Sequence, residues 1–311
     1  MVFNHMLPLL FMSKEIVMMK WMMGLLLVTI SSLAMANINV VASTSSMGML
    51  ATTIGGEQVR VTVLAPPDRD AHFLQARPSM MAALRRADLL VAVGAELEVG
   101  WLPAALQGAG NPQINPGQPG YFEAAAQVSL IDVGGPADRS LGDVHPAGNP
   151  HVNLDPARMA QVAKALAGRL GSLDPANAAD YSARALAFAE QVEARLPQWQ
   201  QRAEAAPGVV LYHKDGNYLM QALGVAIHGY VEAIPGIPPT ARQLKALIDR
   251  LQDQQGIVLQ ADYQPDRGAR FVANELGWPH QALPVEPPLD ADAAAWFALI
   301  DAWVEAVASL H

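Results

Sequence analysis

Cysteine is absent from the 311-residue chain. That removes disulfide frameworks, thiolate zinc sites, iron–sulfur clusters and thiol nucleophiles together. Charge is scarce as well, with 16% of residues being Asp, Glu, Lys or Arg. Acidic residues outnumber basic ones 29 to 20, for a net charge of -9. A surface of that sign repels phosphate backbones, so nucleic-acid binding is not expected. The sequence also lacks a His-Glu-x-x-His helix, a Gly-x-Ser-x-Gly elbow and a Gly-rich phosphate loop, and with them three common hydrolytic or nucleotide-dependent chemistries. Hydrophobic residues reach 51%, enough apolar area to offset chain entropy and exclude a disordered chain. Without thiols, a metal site here must be built from His and carboxylates.

What is present is unevenly spread. Eight of the 14 Met lie in residues 1–36. Lys20, the apolar run Trp21–Ile30 and Ala34-Met35-Ala36 supply a positive flank, a hydrophobic core and a small-x-small site. This is the pattern of a secretory signal peptide, with cleavage expected between Ala36 and Asn37. The core is short of the roughly 20 residues of a membrane span, so no stable membrane insertion is expected after cleavage. Residues 1–18 read as an upstream extension, Met19 being an equally good start. No cysteine follows the hydrophobic core, so a lipid anchor is not expected. The reading is an exported protein of the periplasm.

Beyond the signal segment, strand and helix patterns alternate. Ile38–Ala42, Val59–Leu64, Leu89–Val93 and Val128–Val133 read as strands of a first lobe. The helices between them run over Ser46–Ile54, Met80–Ala87 with Ser79 as cap, and Ala95–Leu106. Continuous apolar runs such as Leu89–Val93 suit strands buried on both faces, and strand–helix alternation implies parallel pairing. Asp155-Pro156 opens a helix to Leu170, the Asp as cap and the Pro where its missing N–H costs nothing. Asp174-Pro175 opens a longer one, to about Ala205. Strands at Val209–Tyr212, Val225–Val231, Ile257–Ala261 and Ala282–Val285 then alternate with helices at Asp215–Leu223, Ala241–Gln254 and Pro265–Leu276. A last helix is capped by Asp290. The expected architecture is α/β: two parallel-sheet lobes with flanking helices, joined by one long interlobe helix. The divisions are 1–36 signal segment, 37–173 first lobe, 174–206 linking helix and 207–311 second lobe.

Of the eight His, His5 and His311 lie near the ends, and His228 and His280 lie in or beside strands and read as structural. His72, His151 and His213 stand instead just after strands or at loop-to-helix junctions. In parallel sheets, ligands bind at the carboxyl ends of the strands. Three imidazoles from separate segments can therefore converge, two from the first lobe and one from the second.

The text around these residues resembles the metal-specific substrate-binding proteins of ABC importers, the zinc and manganese cluster with two lobes and a rigid linking helix. The matching stretches are Asp70-Ala71-His72-Phe73, Arg77-Pro78-Ser79, Asn149-Pro150-His151-Val152-Asn153-Leu154-Asp155-Pro156, Leu173-Asp174-Pro175 and Tyr212-His213, and the likeness spans residues 37–311. It implies a metal held by His72, His151 and His213, with a carboxylate from the loop after the last strand as fourth ligand. Glu286 matches that position best; Asp290, His145 and water are the alternatives. Asp70 and Asp155 are near enough in sequence to orient His72 and His151.

Three imidazoles and one oxygen suit zinc, which favours tetrahedral N/O coordination, whereas manganese prefers more oxygen ligands. The implied function is capture of a divalent metal, zinc first and manganese or iron as alternatives, and delivery to an importer's membrane permease. A periplasmic metallochaperone is a further partner, and the chain reads as a monomer. A zinc-dependent hydrolase is the rival; no pair of these His sits at helical i, i+4 spacing, so a non-enzymatic binding protein is preferred.

Overall fold

The computed structural model describes residues 37–134, 144–234 and 236–309. The signal-segment reading, with His5 and His311, falls outside them. The first sheet is built from β1 (Ile38–Ala42), β2 (Val59–Val63), β3 (Leu89–Ala92) and β4 (Tyr121–Glu123), in the order β2-β1-β3-β4. The second comprises β5 (Val209–Leu211), β6 (Ile227–Tyr230), β7 (Ile257–Ala261) and β8 (His280–Leu283), in the order β6-β5-β7-β8. All pairings are parallel. The central strands β3, β5 and β7 are buried throughout, as expected where helices cover both faces.

In the first lobe, α1 (Ser45–Gly55) follows β1 directly. Thr44 caps it by accepting from the Met47 N–H. Gly48 lets α1 lie close on the sheet, because a Cβ there would sit 2.5 Å from Val63 Cγ2. The helices α2 (Pro78–Arg85) and α3 (Leu102–Ala109) cover the opposite face. A turn of two irregular residues precedes α3. Ala95 and Glu96 have φ of 46° and 69°, so the helix pattern from Ala95 onward becomes helical only at Leu102. At α2, Pro78 occupies the first turn and Arg77 is the N-cap, without a side-chain bond. The expected Ser79 cap is one position inside the helix.

Two helices bridge toward the second lobe. α4 (Pro156–Leu173) is capped by Asp155, which accepts from the Arg158 N–H at 2.8 Å. α5 (Ala178–Ala203) follows a short turn and continues through Pro197; at 1.5 Å per residue it is about 39 Å long. Its buried stripe includes Tyr181, Ala185, Phe188, Val192 and Trp199. Arg184 ties it to the end of α1 through Ile54 O at 2.6 Å and Gly55 O at 3.0 Å.

In the second lobe, α6 (Asn217–Leu223), α7 (Ala241–Leu251) and α8 (Asp266–Leu276) flank the sheet. Thr240 and Gln243 form a reciprocal capping box at the start of α7. The last helix, α9 (Ala293–Ala308), packs on α5. Phe188 lies 5.5 Å, ring to ring, from both Trp296 and Phe297, and Trp199 Nε1 donates to Asp301 at 2.7 Å. The linking helix is thus packed against both lobes.

Two further expectations are corrected. The fourth strand of the first sheet is Tyr121–Glu123, not Val128–Val133. The latter run is half exposed, Val133 at 66%, and among the described residues no strand pairs with it. The last helix is capped by Asp292, whose carboxylate accepts from the Ala295 N–H at 3.2 Å. Asp290 lies upstream in the left-handed region with φ 59°.

Candidate metal centre

The three singled-out His leave the carboxyl ends of their sheets by different routes. His72 follows β2 after a loop and sits in a single 3-10 turn, Ala71–Phe73, whose N-cap is Asp70. His151 stands at the N-cap of the turn Val152–Leu154 that leads into α4. His213 comes two residues after β5 and opens the turn Lys214–Gly216. All three are buried. Their ligand nitrogens lie within 4.8 Å of one another, and the ring centroids are 5.1 to 5.8 Å apart.

Each ring has a carboxylate behind it. His72 Nδ1 is 2.7 Å from Asp70 Oδ1, and the same oxygen accepts the His72 backbone N–H at 2.9 Å. His213 Nδ1 is 2.9 Å from Glu232 Oε2. His151 Nδ1 faces Asp215 Oδ1 at 3.6 Å. The two bonded carboxylates, Asp70 and Glu232, fix the orientation of the His72 and His213 rings and raise the basicity of the other ring nitrogen toward a metal. Asp215 Oδ2 is held by Gln264 at 2.8 Å, whereas its Oδ1 accepts no hydrogen bond.

The electrostatics follow from burial and pairing. Burial pushes the Asp70 carboxyl upward, but its hydrogen bond to His72 and that ring's charge outweigh burial and hold it below the usual range. For His213, burial opposes protonation; Asp215 and the bond to Glu232 overcome it and raise the imidazole's affinity for positive charge. Burial also raises Asp215, the nearby His213 opposing. A group of buried imidazoles backed by acids attracts a cation and rejects an anion.

Sequence reasoning placed Asp70 behind His72, as observed. It assigned Asp155 to His151, but Asp155 is turned into α4 and pairs with Arg158; Asp215 faces His151 instead. Asp215 and Glu232 were both missed. Asp215 read as an ordinary helix start. Glu232 comes two residues after the end of β6, and its place beyond a strand's carboxyl end was the signal available.

The structure does not bring Glu286 into the group of three. Its carboxylate accepts from the Ser46 N–H at 2.6 Å, Ser45 Oγ at 3.2 Å and Asn153 Nδ2 at 3.2 Å. It therefore secures the amino end of α1, where helix N–H groups lack partners. Burial pushes this carboxyl up to about 7, against the pull of those donors. Asp290 is likewise outside the group. His228 and His280 are structural: His228 Nε2 bonds Pro207 O at 2.9 Å and His280 Nε2 bonds Gln260 Oε1 at 3.0 Å. A cleft of about 730 Å³ opens beside the centre, lined by His72, His213, Phe73, Tyr212, Tyr263 and Phe271.

Residues 40–310 match the family model described as zinc-uptake complex component A, periplasmic. The chain belongs to that family. It is one of the metal-specific substrate-binding proteins of ABC importers, a transport family rather than an enzyme family. Members of this class work with a membrane permease. The high-affinity zinc uptake protein ZnuA of Yersinia pestis is 25% identical over 264 residues, 79% of this chain and 83% of that one. The manganese ABC transporter substrate-binding lipoprotein ScaA of Streptococcus gordonii is 23% identical over 224 residues, 70% of this chain and 69% of its own. The crystal structure of a ZnuA superimposes with a TM-score of 0.71 at 23% identity, covering 88% of this chain and 98% of that chain, and so shares the fold.

Proposed function

We propose that this protein captures zinc between its lobes and delivers it to the permease of an ABC importer. The observation that carries this reading is the convergence of His72, His151 and His213 from both lobes, with ligand nitrogens within 4.8 Å. Zinc binds imidazole nitrogen at roughly 2.0–2.1 Å in tetrahedral sites, and modest closure brings three nitrogens to that distance. A nitrogen-dominated set favours zinc over manganese, which takes more oxygen. Relatives named for zinc and for manganese bracket this choice; the imidazole count supports zinc.

The metal acts here as cargo. Bound between His72 and His151 on one lobe and His213 on the other, it cross-links the two. Asp70 and Glu232 hold two of the rings ready, so less ordering entropy is lost on capture. Release then follows from displacing His213, the second lobe's contribution, when the permease engages. The protein acts without catalysis and, in this reading, in the periplasm.

The test is a competition titration of zinc and manganese against a chelator, with elemental analysis of the protein as isolated from cells. One zinc per chain, bound far more tightly than manganese, is expected. A stronger manganese affinity, or no metal, overturns the reading.

A further inference from the structure

We propose that the cleft beside this centre takes the metal as a complex with a small organic chelator, one carrying an aromatic or heteroaromatic ring and a carboxylate. The proposal rests on the metal-binding reading above and names the form of its cargo. The cleft holds about 730 Å³ and opens onto His72 and His213. A lone zinc ion, bonded at roughly 2.0–2.1 Å, needs a small fraction of that space. Volumes of several hundred Å³ are those of small-molecule pockets.

The walls suit an organic ring better than a hydrated ion. Phe73 from the first lobe, Tyr263 and Phe271 from the second, and Pro238, Pro239 and Leu244 line the cleft. Phe73 is 61% exposed and Phe271 43%. The Phe73 ring stands 6.0 Å from that of His72, so the apolar wall begins beside the metal ligands. A hydrated cation gains nothing from such faces. Clustered aromatics left in water mark a surface that is covered in use, and a flat ring stacks on them.

The polar groups of the cleft carry the pattern of a chelate. Tyr212 is 5% exposed and lines the cleft, as does Tyr263; among the described residues neither hydroxyl has a hydrogen-bond partner. A buried hydroxyl left unpaired costs free energy that a ligand oxygen recovers. Arg267, in the first turn of α8, also lines the cleft and has no carboxylate partner among the described residues. The N-cap of α8 is Pro265, which gives no side-chain bond, so the N–H groups of its first turn are open to an anion. Asp266 beside them is paired with Arg270 at 2.6 Å. An adjoining cavity of about 450 Å³ shares Phe73 and Tyr263 and adds Arg69 and Arg77, in a chain where acids outnumber bases. The cleft's acids, Asp70 and Glu232, are instead bonded to the His72 and His213 rings. Negative charge therefore stands at the metal end, while Arg267 and the amino end of α8 await an anion. A metal chelate has the complementary form, positive at its ion and negative at its carboxylate. The three imidazoles leave zinc open to outside donors, which a chelator can supply from the cleft.

The experiment is calorimetric titration of quinoline-2-carboxylate into zinc-loaded wild-type, Phe271→Ala and Arg267→Gln proteins. Glycinate, which offers the same nitrogen and oxygen donors without the ring, is the control. The zinc affinity of each protein is measured by competition titration, and zinc retention by elemental analysis after gel filtration. Both substituted residues are exposed, so the variants should fold. The quinoline acid is expected to bind the zinc-loaded wild type at least about tenfold more tightly than glycinate. Each substitution should weaken that binding about tenfold and leave the affinity for zinc alone unchanged. Removal of zinc from the protein by the quinoline acid, binding no tighter than glycinate, or binding unaffected by both substitutions overturns the chelate proposal and leaves zinc capture standing. If the wild type binds zinc neither alone nor with the quinoline acid, the metal reading itself fails.

Discussion

The two sheets share one strand order, yet they offer ligands differently. The first lobe delivers His72 and His151 on irregular segments: a single turn after a loop, and the entry to α4. The second delivers His213 almost directly from the central strand β5. A strand end in the middle of a sheet is the stiffest place a side chain can be mounted; loops are mounted by their hydrogen bonds. The difference assigns roles. The first lobe forms a nitrogen pair that side-chain bonds must shape, and the second supplies one rigid counter-ligand that closes the site.

That contrast can be broken most severely at its single-ligand side. His213→Ala removes everything the second lobe gives and is expected to lower zinc affinity by orders of magnitude, leaving the metal-free protein's melting temperature nearly unchanged; competition titration and a melting curve check both. A smaller effect is the stabilisation that bound zinc gives the folded chain. Zinc at about 100 times its Kd is expected to stabilise the native protein by roughly 2.7 kcal/mol, read as a rise in melting temperature, and His213→Ala should abolish most of it at the same zinc concentration. Below that come the acids behind the rings. Asp70→Asn and Glu232→Gln should each weaken zinc binding about 10- to 100-fold. If the second lobe's ring is held by its strand, Glu232→Gln falls at the lower end and Asp70→Asn at the upper.

The smallest expected effect is one of pH. The Glu286 carboxyl sits at about 7 in the folded chain, above its ordinary 4.5, because burial disfavours its charge. The native state therefore binds that proton more tightly than the unfolded one. The associated stability is complete below about pH 4.5 and is lost as pH rises through about 7. Glu286→Gln should flatten the decline in stability between those values, measured by urea unfolding at several pH values without metal.

The sequence made the regular parts legible where burial dictated them. Leu89–Ala92 and Ile257–Ala261 are buried at every position, and a continuous apolar run has few other uses. Asp155-Pro156 and Thr240 announced their helices through chemistry that operates within a few residues. Tyr121–Glu123 was hidden because three residues carry no periodicity, and the decoy Val128–Val133 carries more. The same locality governed the site. Asp70 was readable because it lies two residues from the ring it holds. Asp215 and Glu232 were not, because their relation to His151 and His213 exists only once β5, β6 and the turn before α4 are assembled. Glu286 was expected at the metal from its place in the loop after the last strand; its bonds to Ser45, Ser46 and Asn153, residues far from it along the chain, could not be read there.

The contact between Glu286 and the amino end of α1 also has a bearing on assembly. Ser46 is among the first residues of the described chain, while Glu286, the Pro284 carbonyl that accepts from Trp303 at 2.8 Å and the Trp296 ring that donates to Asn153 O at 2.9 Å come among the last. During synthesis the early helix therefore waits, its terminal amide without this acceptor, until nearly the entire polypeptide has been made. A chain halted before residue 284 would lack the clasp that closes its own beginning, so completion of the first lobe is postponed to the end of translation.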